Sequence, residues 1–337
     1  MVIDMKPVFL FPGQGSQTVG MGRDLYDNHP AARQVFDEAD SALGFPLSKL
    51  IFEGPEDQLK LTEHTQPAIL TVSVAATRVL MPALAEKGIQ PAFAAGHSLG
   101  EYSAHVAAGT LSFADAVRTV RSRGRYMQQA VPAGEGAMAA ILGLPAILIA
   151  EICAQASDKL TPLPNIAEAR NFNTKLAVVS PANLNSPDQT VISGANGAVH
   201  LAADLSKQAG AKRTVMLPVS APFHCALMQP AQDLLARDLE SLVFNDPAIP
   251  IAANVDARLV TKAADSRDCL IRQVTGSVRW VECIQLLAAQ GATHFIEVGP
   301  GKVLSGLNRQ ILGKDSVIPT MNVEDSASLE KTLASLA

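Results

Sequence analysis

Three short apolar runs, each cut off by a glycine-bearing turn and followed by a helical pattern, limit what this chain can become. Val8–Phe11 runs into Pro12-Gly13-Gln14-Gly15-Ser16-Gln17, Phe93–Ala95 into Gly96-His97-Ser98-Leu99-Gly100, and His294–Val298 into Gly299-Pro300-Gly301-Lys302. A continuous apolar run marks a strand buried on both faces, as in a parallel sheet. Strand, tight turn and helix in repetition predict an α/β fold with its chemistry at the carboxyl ends of the strands. The middle of the chain has another rhythm. Ala137–Leu144, Lys175–Ser180, Thr190–Ser193 and Thr214–Pro218 read as strands, with a helix over Ala198–Ala209. That order predicts a small α+β unit of about 80 residues inserted into the larger one. Residues 157–175 contain two prolines and little apolar periodicity, and read as a surface loop.

Composition narrows the function classes. With 337 residues, 48% hydrophobic and 18% charged, the chain can build two domains, or one large domain with an insertion. It is neither disordered nor fibrous in composition. Its 27 basic and 32 acidic residues give a net charge of −5. No basic excess predicts a nucleic-acid surface, and no basic amphipathic stretch predicts a membrane surface. Cys153, Cys225, Cys269 and Cys283 form no CxxC pair, so they read as reduced thiols and not as a disulfide framework or zinc site. The longest uncharged run, Gly136–Ala150, has 15 residues, against the roughly 20 a membrane-spanning helix needs. Val8–Phe11, stopped by Pro12, is too short for a signal-peptide core. The expectation is a soluble, cytoplasmic protein, monomeric by default.

Gly96-His97-Ser98-Leu99-Gly100 is the strongest local signal, a GxSxG between an apolar run and a helical pattern. A serine on so tight a turn has a strained backbone, and small neighbours permit the close approach. The turn exposes the hydroxyl and sets the Leu99 N–H at a helix N-terminus, where it can bind a developing oxyanion. A glycine-rich turn with an ordinary capping serine is the other reading.

A serine nucleophile needs a base. Of seven histidines, His224 stands out, in Val219-Ser220-Ala221-Pro222-Phe223-His224-Cys225. A short proline-bearing segment after a strand can hold a catalytic imidazole rigidly, although a loop histidine capping a helix fits as well. His97 adjoins Ser98 and should point away, and His105 reads as a packing or surface residue. Cys225 is adjacent to His224, so the two side chains diverge and a cysteine nucleophile is disfavoured.

Over Phe113–Met127, Phe113, Ala116, Val117, Val120 and Met127 form one apolar stripe at about 100° per residue. Arg123 lies nearest that stripe, Arg118 and Arg125 on the far side, and Arg121 between. A half-buried arginine must find an anion or carbonyl. Periodicity alone favours a structural salt bridge over a clamp for a substrate carboxylate. The other glycine turns carry less. Thr18 replaces the third glycine of a dinucleotide fingerprint, and Val303 follows Lys302 where a phosphate loop needs Ser or Thr.

Taken together, FPGQGSQ (11–17), TQPA (65–68), GHSLGEYSA (96–104), SRGRYMQ (122–128), SPANLNSPDQTVISG (180–194), PVSAPFHCALM (218–228) and EVGPGKVLSGL (297–307) resemble malonyl-CoA:acyl-carrier-protein transacylases. The resemblance runs from about residue 8 to about residue 312. It implies an α/β-hydrolase-like large domain, residues 1–134 and 218–337, with a small ferredoxin-like domain at 135–217. It implies Ser98 as nucleophile and His224 as base. Gln14 and the Leu99 N–H become the oxyanion site, Arg123 the malonyl-carboxylate arginine, and Gln273 the residue whose backbone carbonyl orients the histidine. It implies malonyl-CoA as substrate and an acyl carrier protein as partner, with no metal or redox cofactor. Lys207, Lys212 and Arg213 form a candidate docking patch for that acidic partner, or a solvated helix end.

Two features depart from the family's usual pattern. The stretch 157–175 looks like extra length. Phe223 precedes the histidine where stand-alone fatty-acid enzymes resemble Ser-His; Phe-His resembles malonyl-selective acyltransferase domains of polyketide synthases. The alternatives are therefore a malonyl acyltransferase loading polyketide carrier proteins, a serine thioesterase or esterase, and a non-catalytic carrier-binding module.

Overall fold

The computed structural model describes residues 5–161, 177–219 and 221–336. Its strands are β1 (Pro7–Phe11), β2 (Phe93–Gly96), β3 (Gly136–Leu142), β4 (Val179–Ser186), β5 (Gln189–Ala195), β6 (Arg213–Met216), β7 (Ile251–Ala253), β8 (Arg258–Val260), β9 (His294–Val298) and β10 (Thr320–Val323). They form one six-stranded and one four-stranded sheet, and the chain divides into two compact units.

The first unit comprises Met1–Arg125, Asp238–Leu270 and Glu282–Ala337. Its sheet runs β10-β9-β1-β2-β7-β8, parallel throughout except for the β7–β8 pair. Val8, Phe9, Leu10 and Phe11 are fully buried, as the apolar run required. The three strands anticipated from sequence are neighbours, β9-β1-β2, with Phe11 beside Gly96 in register. Their three glycine turns therefore leave adjacent strand ends. β7, β8 and β10 were not anticipated, being only three or four residues long.

Helix Thr62–Glu86 lies in this unit and is long and apolar enough to cross a membrane by length and composition. A search for uncharged runs misses it because Glu63 and Arg78 interrupt the stretch. Of its most apolar window, 67% is buried inside the protein, which is the setting of a core helix that is apolar on most faces.

The second unit comprises Tyr126–Arg237 and Ile271–Val281. Its sheet runs β4-β5-β3-β6, all antiparallel. In chain order the described elements are β3, helix Ala146–Leu160, β4, β5, helix Asn196–Gln208 and β6. The range 135–217 encloses this sheet, but the compact unit is wider. Val278 takes part in it because its N–H donates to Ala182 O (2.8 Å) and its carbonyl accepts from Leu184 N (2.9 Å). The loop expected at 157–175 is corrected at its start: residues 157–160 complete the helix Ala146–Leu160, which follows Pro145. The remainder, 162–175, lies outside the described residues.

His105, on helix Gly100–Ala107 of the first unit, is 1% exposed. Neither ring nitrogen has a hydrogen-bond partner among the described residues. Burial pulls its pKa down to about 3. The folded state thus holds His105 neutral, whereas the unfolded chain protonates it below about pH 6.5. Stability from this residue is complete above that pH and is lost as pH falls. Between pH 7.5 and 5.5 the loss should be about 1.4 kcal/mol. Urea denaturation of His105→Leu at the two pH values should show a pH dependence smaller by that amount.

Candidate active site

The elbow is built by steric necessity. β2 ends at Gly96, and the chain turns through His97, Ser98 and Leu99 into helix Gly100–Ala107. Ser98 has φ +51°, a left-handed backbone that non-glycine residues rarely adopt. A Cβ on Gly96 would lie 1.9 Å from the Gly100 carbonyl carbon, and one on Gly100 2.1 Å from Phe11 O. Neither position admits any other residue without a backbone shift. The His97 N–H donates to Phe11 O at 3.0 Å, which ties the elbow to β1. The turn after β1 lies on it too, because a Cβ on Gly13 would sit 2.4 Å from His97 O. Gln14 is exposed on that turn. Leu99 is buried at the helix N-cap, among the N–H groups a helix leaves without intrahelical acceptors.

Sequence reasoning missed Asn254, just past β7. Its Oδ1 accepts from Ser98 N (2.8 Å), its Nδ2 donates to Gly96 O (2.7 Å), and its own N–H donates to the buried Glu101 Oε2 (3.0 Å). No spacing rule connects a residue 156 positions away to a serine backbone.

Arg123, on helix Phe113–Gln129, is 2% exposed. Its Nη2 donates to Ser98 Oγ at 3.1 Å and its Nη1 to Gln66 Oε1 at 2.8 Å. The guanidinium also lies over the Tyr102 ring, 5.7 Å from its centroid. The approach is set at Gly124, where a Cβ would meet Thr62 O at 2.6 Å, bringing this helix against the one that carries Gln66. Burial pushes the Arg123 pKa down and the Tyr102 phenol up. Starting so far above neutrality, the guanidinium remains a cation. The other arginines of the helix are turned elsewhere: Arg118 pairs with Asp115 (2.8 Å) and Arg121 lies over Phe45 (4.3 Å). Gln66 lies within the TQPA segment, whose sequence carries no sign of the contact with Arg123.

In the second unit, His224 has φ +60° and is 4% exposed. Its Nδ1 lies 2.9 Å from Gln273 O and 3.2 Å from Gly276 O. Carbonyls only accept, so Nδ1 carries the proton and donates it. Nε2 is then the ring's basic atom. Gly276 was not foreseen, since a backbone carbonyl leaves no mark in sequence. A Cβ on Gly136 would meet Pro222 Cδ at 2.4 Å, which fixes the loop against β3. Phe223 is buried. Cys225 donates from Sγ to Pro222 O (3.1 Å), and burial pushes its thiol pKa up, so it stays protonated and weakly nucleophilic. Of the basic patch, Lys207 is paired with Asp204 (3.0 Å), and the stem of Lys212 lies against Gly143.

The structure thus gathers Ser98, Leu99 and Arg123 in the first unit, with the Gln14 turn against the elbow, and His224 with the Gln273 carbonyl in the second. Among the described residues no three or more His, Cys, Asp or Glu side chains are grouped to hold a metal ion. The first group offers a serine hydroxyl beside a buried cation, and the second an imidazole whose Nδ1 proton is held by backbone carbonyls.

Residues 8–334 match the family model described as an acyl transferase domain. The chain is 48% identical, over 331 residues, to the malonyl CoA-acyl carrier protein transacylase of Bacillus subtilis, covering 98% of this chain and 97% of the relative. Among solved structures, it is similar to the malonyl CoA-acyl carrier protein transacylase of Coxiella burnetii, with TM-score 0.89 and 42% identity, covering 99% and 98% of the two chains. It is also similar to a malonyl-transacylase solved in complex with its type II polyketide acyl-carrier protein, with TM-score 0.87 and 43% identity, covering 98% and 99%.

The steric reading of the elbow has a direct test. Gly100→Ala should destabilise the protein by about 2 kcal/mol or more, the cost of forcing atoms into a filled site. Gly306→Ala is the control: it is helical and a Cβ there meets nothing within 4 Å, so stability should hold or rise. Urea midpoints of the two variants measure both.

Proposed function

The chain belongs to the acyl transferase family, and from that premise we propose that it moves a malonyl group from malonyl-CoA to the phosphopantetheine thiol of an acyl carrier protein. The observation that carries the malonyl part is Arg123, a buried cation 3.1 Å from Ser98 Oγ. Malonyl bears its free carboxylate one carbon from the thioester carbonyl. A cation beside the nucleophile therefore meets that carboxylate when the carbonyl reaches Ser98. Its fork suits two parallel hydrogen bonds, each worth about 1.5–3 kcal/mol to a charged partner. An esterase needs no such cation there.

The transfer takes two half-reactions. In the first, His224 Nε2 takes the Ser98 proton as Oγ attacks the thioester carbonyl. The Leu99 N–H and the Gln14 turn receive the oxyanion, and such a donor is worth about 3–4 kcal/mol of barrier. The C–S bond breaks, and the sulfur leaves as CoA thiol with the proton His224 held. In the second, His224 takes the carrier thiol's proton and the sulfur attacks the malonyl-serine ester. The C–O bond to Ser98 then breaks, and the proton returns to Oγ. No step calls on a metal or redox cofactor.

We read residues 135–217 as a ferredoxin-like insertion in an α/β-hydrolase-like domain of 1–134 and 218–337. The βαββαβ order of the described elements supports this. The compartment is the cytoplasm. Phe223 and the likeness to a polyketide-associated transacylase support the alternative reading, in which the carrier protein is that of a polyketide synthase.

Intact-mass measurement after incubation with malonyl-CoA should show one malonyl adduct, mapped to Ser98 and absent in Ser98→Ala. Arg123→Ala should slow malonyl loading by about 100-fold or more while acetyl loading is spared or raised. Equal loss on both acyl groups would leave Arg123 a structural residue.

A further inference from the structure

We propose that Asn254 is a positioning residue for the nucleophile, an inference that rests on Ser98 being the acylated group. β7 pairs with β2 through Ala94↔Ile251 and Ala95↔Ala252, and there the regular pairing stops because β2 turns into the elbow. The turn leaves two backbone groups facing the end of β7: the Gly96 carbonyl and the Ser98 N–H. The Asn254 carboxamide meets both, with Nδ2 donating to Gly96 O at 2.7 Å and Oδ1 accepting from Ser98 N at 2.8 Å. The primary amide is suited to this pair because it donates and accepts from one rigid plane. Turned over, it would set N–H against N–H and oxygen against oxygen. The third tie, from Asn254 N to Glu101 Oε2 at 3.0 Å, reaches the first turn of the elbow helix. One residue thus holds positions 96, 98 and 101.

Two consequences follow for the reaction. A left-handed backbone at a non-glycine residue persists only where its surroundings over-determine it. The Asn254 bridge spans the strained residue, so it sets where Oγ stands relative to the acyl carbonyl. The bridge also engages the Ser98 N–H, which leaves oxyanion binding to the Leu99 N–H and the turn after β1. Being neutral, the amide achieves this without adding a negative charge beside the oxyanion that develops on the acyl carbonyl.

The test is rapid-quench acylation of the full chain by malonyl-CoA, read as malonyl-enzyme by intact mass. It compares wild type, Asn254→Ala and Asn254→Asp, each checked for folding by circular dichroism. Asn254→Asp keeps the shape and the acceptor but loses the donor to Gly96 O. Both variants should acylate about 100-fold more slowly, the loss that a misplaced nucleophile brings. KM for malonyl-CoA should stay within about threefold of wild type, because uniform binding is untouched. Should Asn254→Ala fail to fold, the near-isosteric Asn254→Asp decides alone. A folded variant that loads Ser98 within about threefold of the wild-type rate, merely melting earlier, would overturn the proposal and leave Asn254 a stability residue. Wild type that gains no adduct on Ser98 would instead overturn the functional reading beneath it.

Discussion

A serine hydroxyl can stand clear of a parallel sheet only if its backbone is held where an L-residue resists going, and the first unit is organised around that demand. Ser98 is left-handed because Gly96 and Gly100 close on each other without room for a methyl group. Gly100 in turn presses on the Phe11 carbonyl, so the end of β1 and the elbow cannot be placed separately. Gly13 rests on His97, and Gly299, at φ +134°, packs against Ser73 and Pro12. The buried Glu297 anchors the turn after β9 by accepting from Leu304 N (3.0 Å) and Ser305 N (2.7 Å). The ends of β1 and β2 are locked by contacts between backbones, which tolerate less adjustment than the side-chain contacts that hold the turn after β9.

Against that frame stands a cation with little access to water. Desolvation disfavours the charged form of Arg123 and outweighs the favourable fields of Tyr102 and Glu101, while two of its hydrogen bonds go to neutral acceptors, an amide oxygen and a hydroxyl. Neutral acceptors satisfy hydrogen-bonding geometry but not charge. A substrate carboxylate would add charge to what these two acceptors give. In the proposed transfer this gives selectivity a physical basis: the buried cation would reward a carboxylated acyl chain over an acetyl. Held at both its carboxylate and its ester, the acyl group would also be fixed against the wandering that lets water attack.

The elbow was legible in sequence because its glycines answer to clearance, and clearance shows as residue type. β1, β2 and β9 were legible because strands buried on both faces are written as apolar runs. β7, only Ile251–Ala253, was too short to stand out, although it carries the chain to Asn254. Periodicity correctly brought Arg123 to the buried edge but preferred a structural ion pair there. Its contacts with Gln66 and Ser98 join positions 57 and 25 residues apart, which a helical wheel does not see. The Gln273 carbonyl was reachable only through resemblance to a family, since any residue at 273 except one that shifts the backbone presents the same oxygen. For the same reason Gly276 was invisible.

That last point bears on the chemistry. At Nδ1, His224 meets the carbonyls of Gln273 and Gly276, where a hydrolase triad would set a carboxylate. A carbonyl fixes the tautomer as a carboxylate does, yet stabilises the imidazolium less. Peptide hydrolysis needs that stabilisation because an amine is a poor leaving group and must be protonated as it departs. In the proposed transfer both leaving and attacking groups are thiols, with pKa near 8.5 when unperturbed. A thiolate leaves readily, so the imidazolium need persist only briefly, and a weaker orienting group suffices. A base held by carbonyls also favours neither direction strongly. That suits a reaction whose donor and final product are both thioesters, and in which the same Ser98 must be acylated and released in turn.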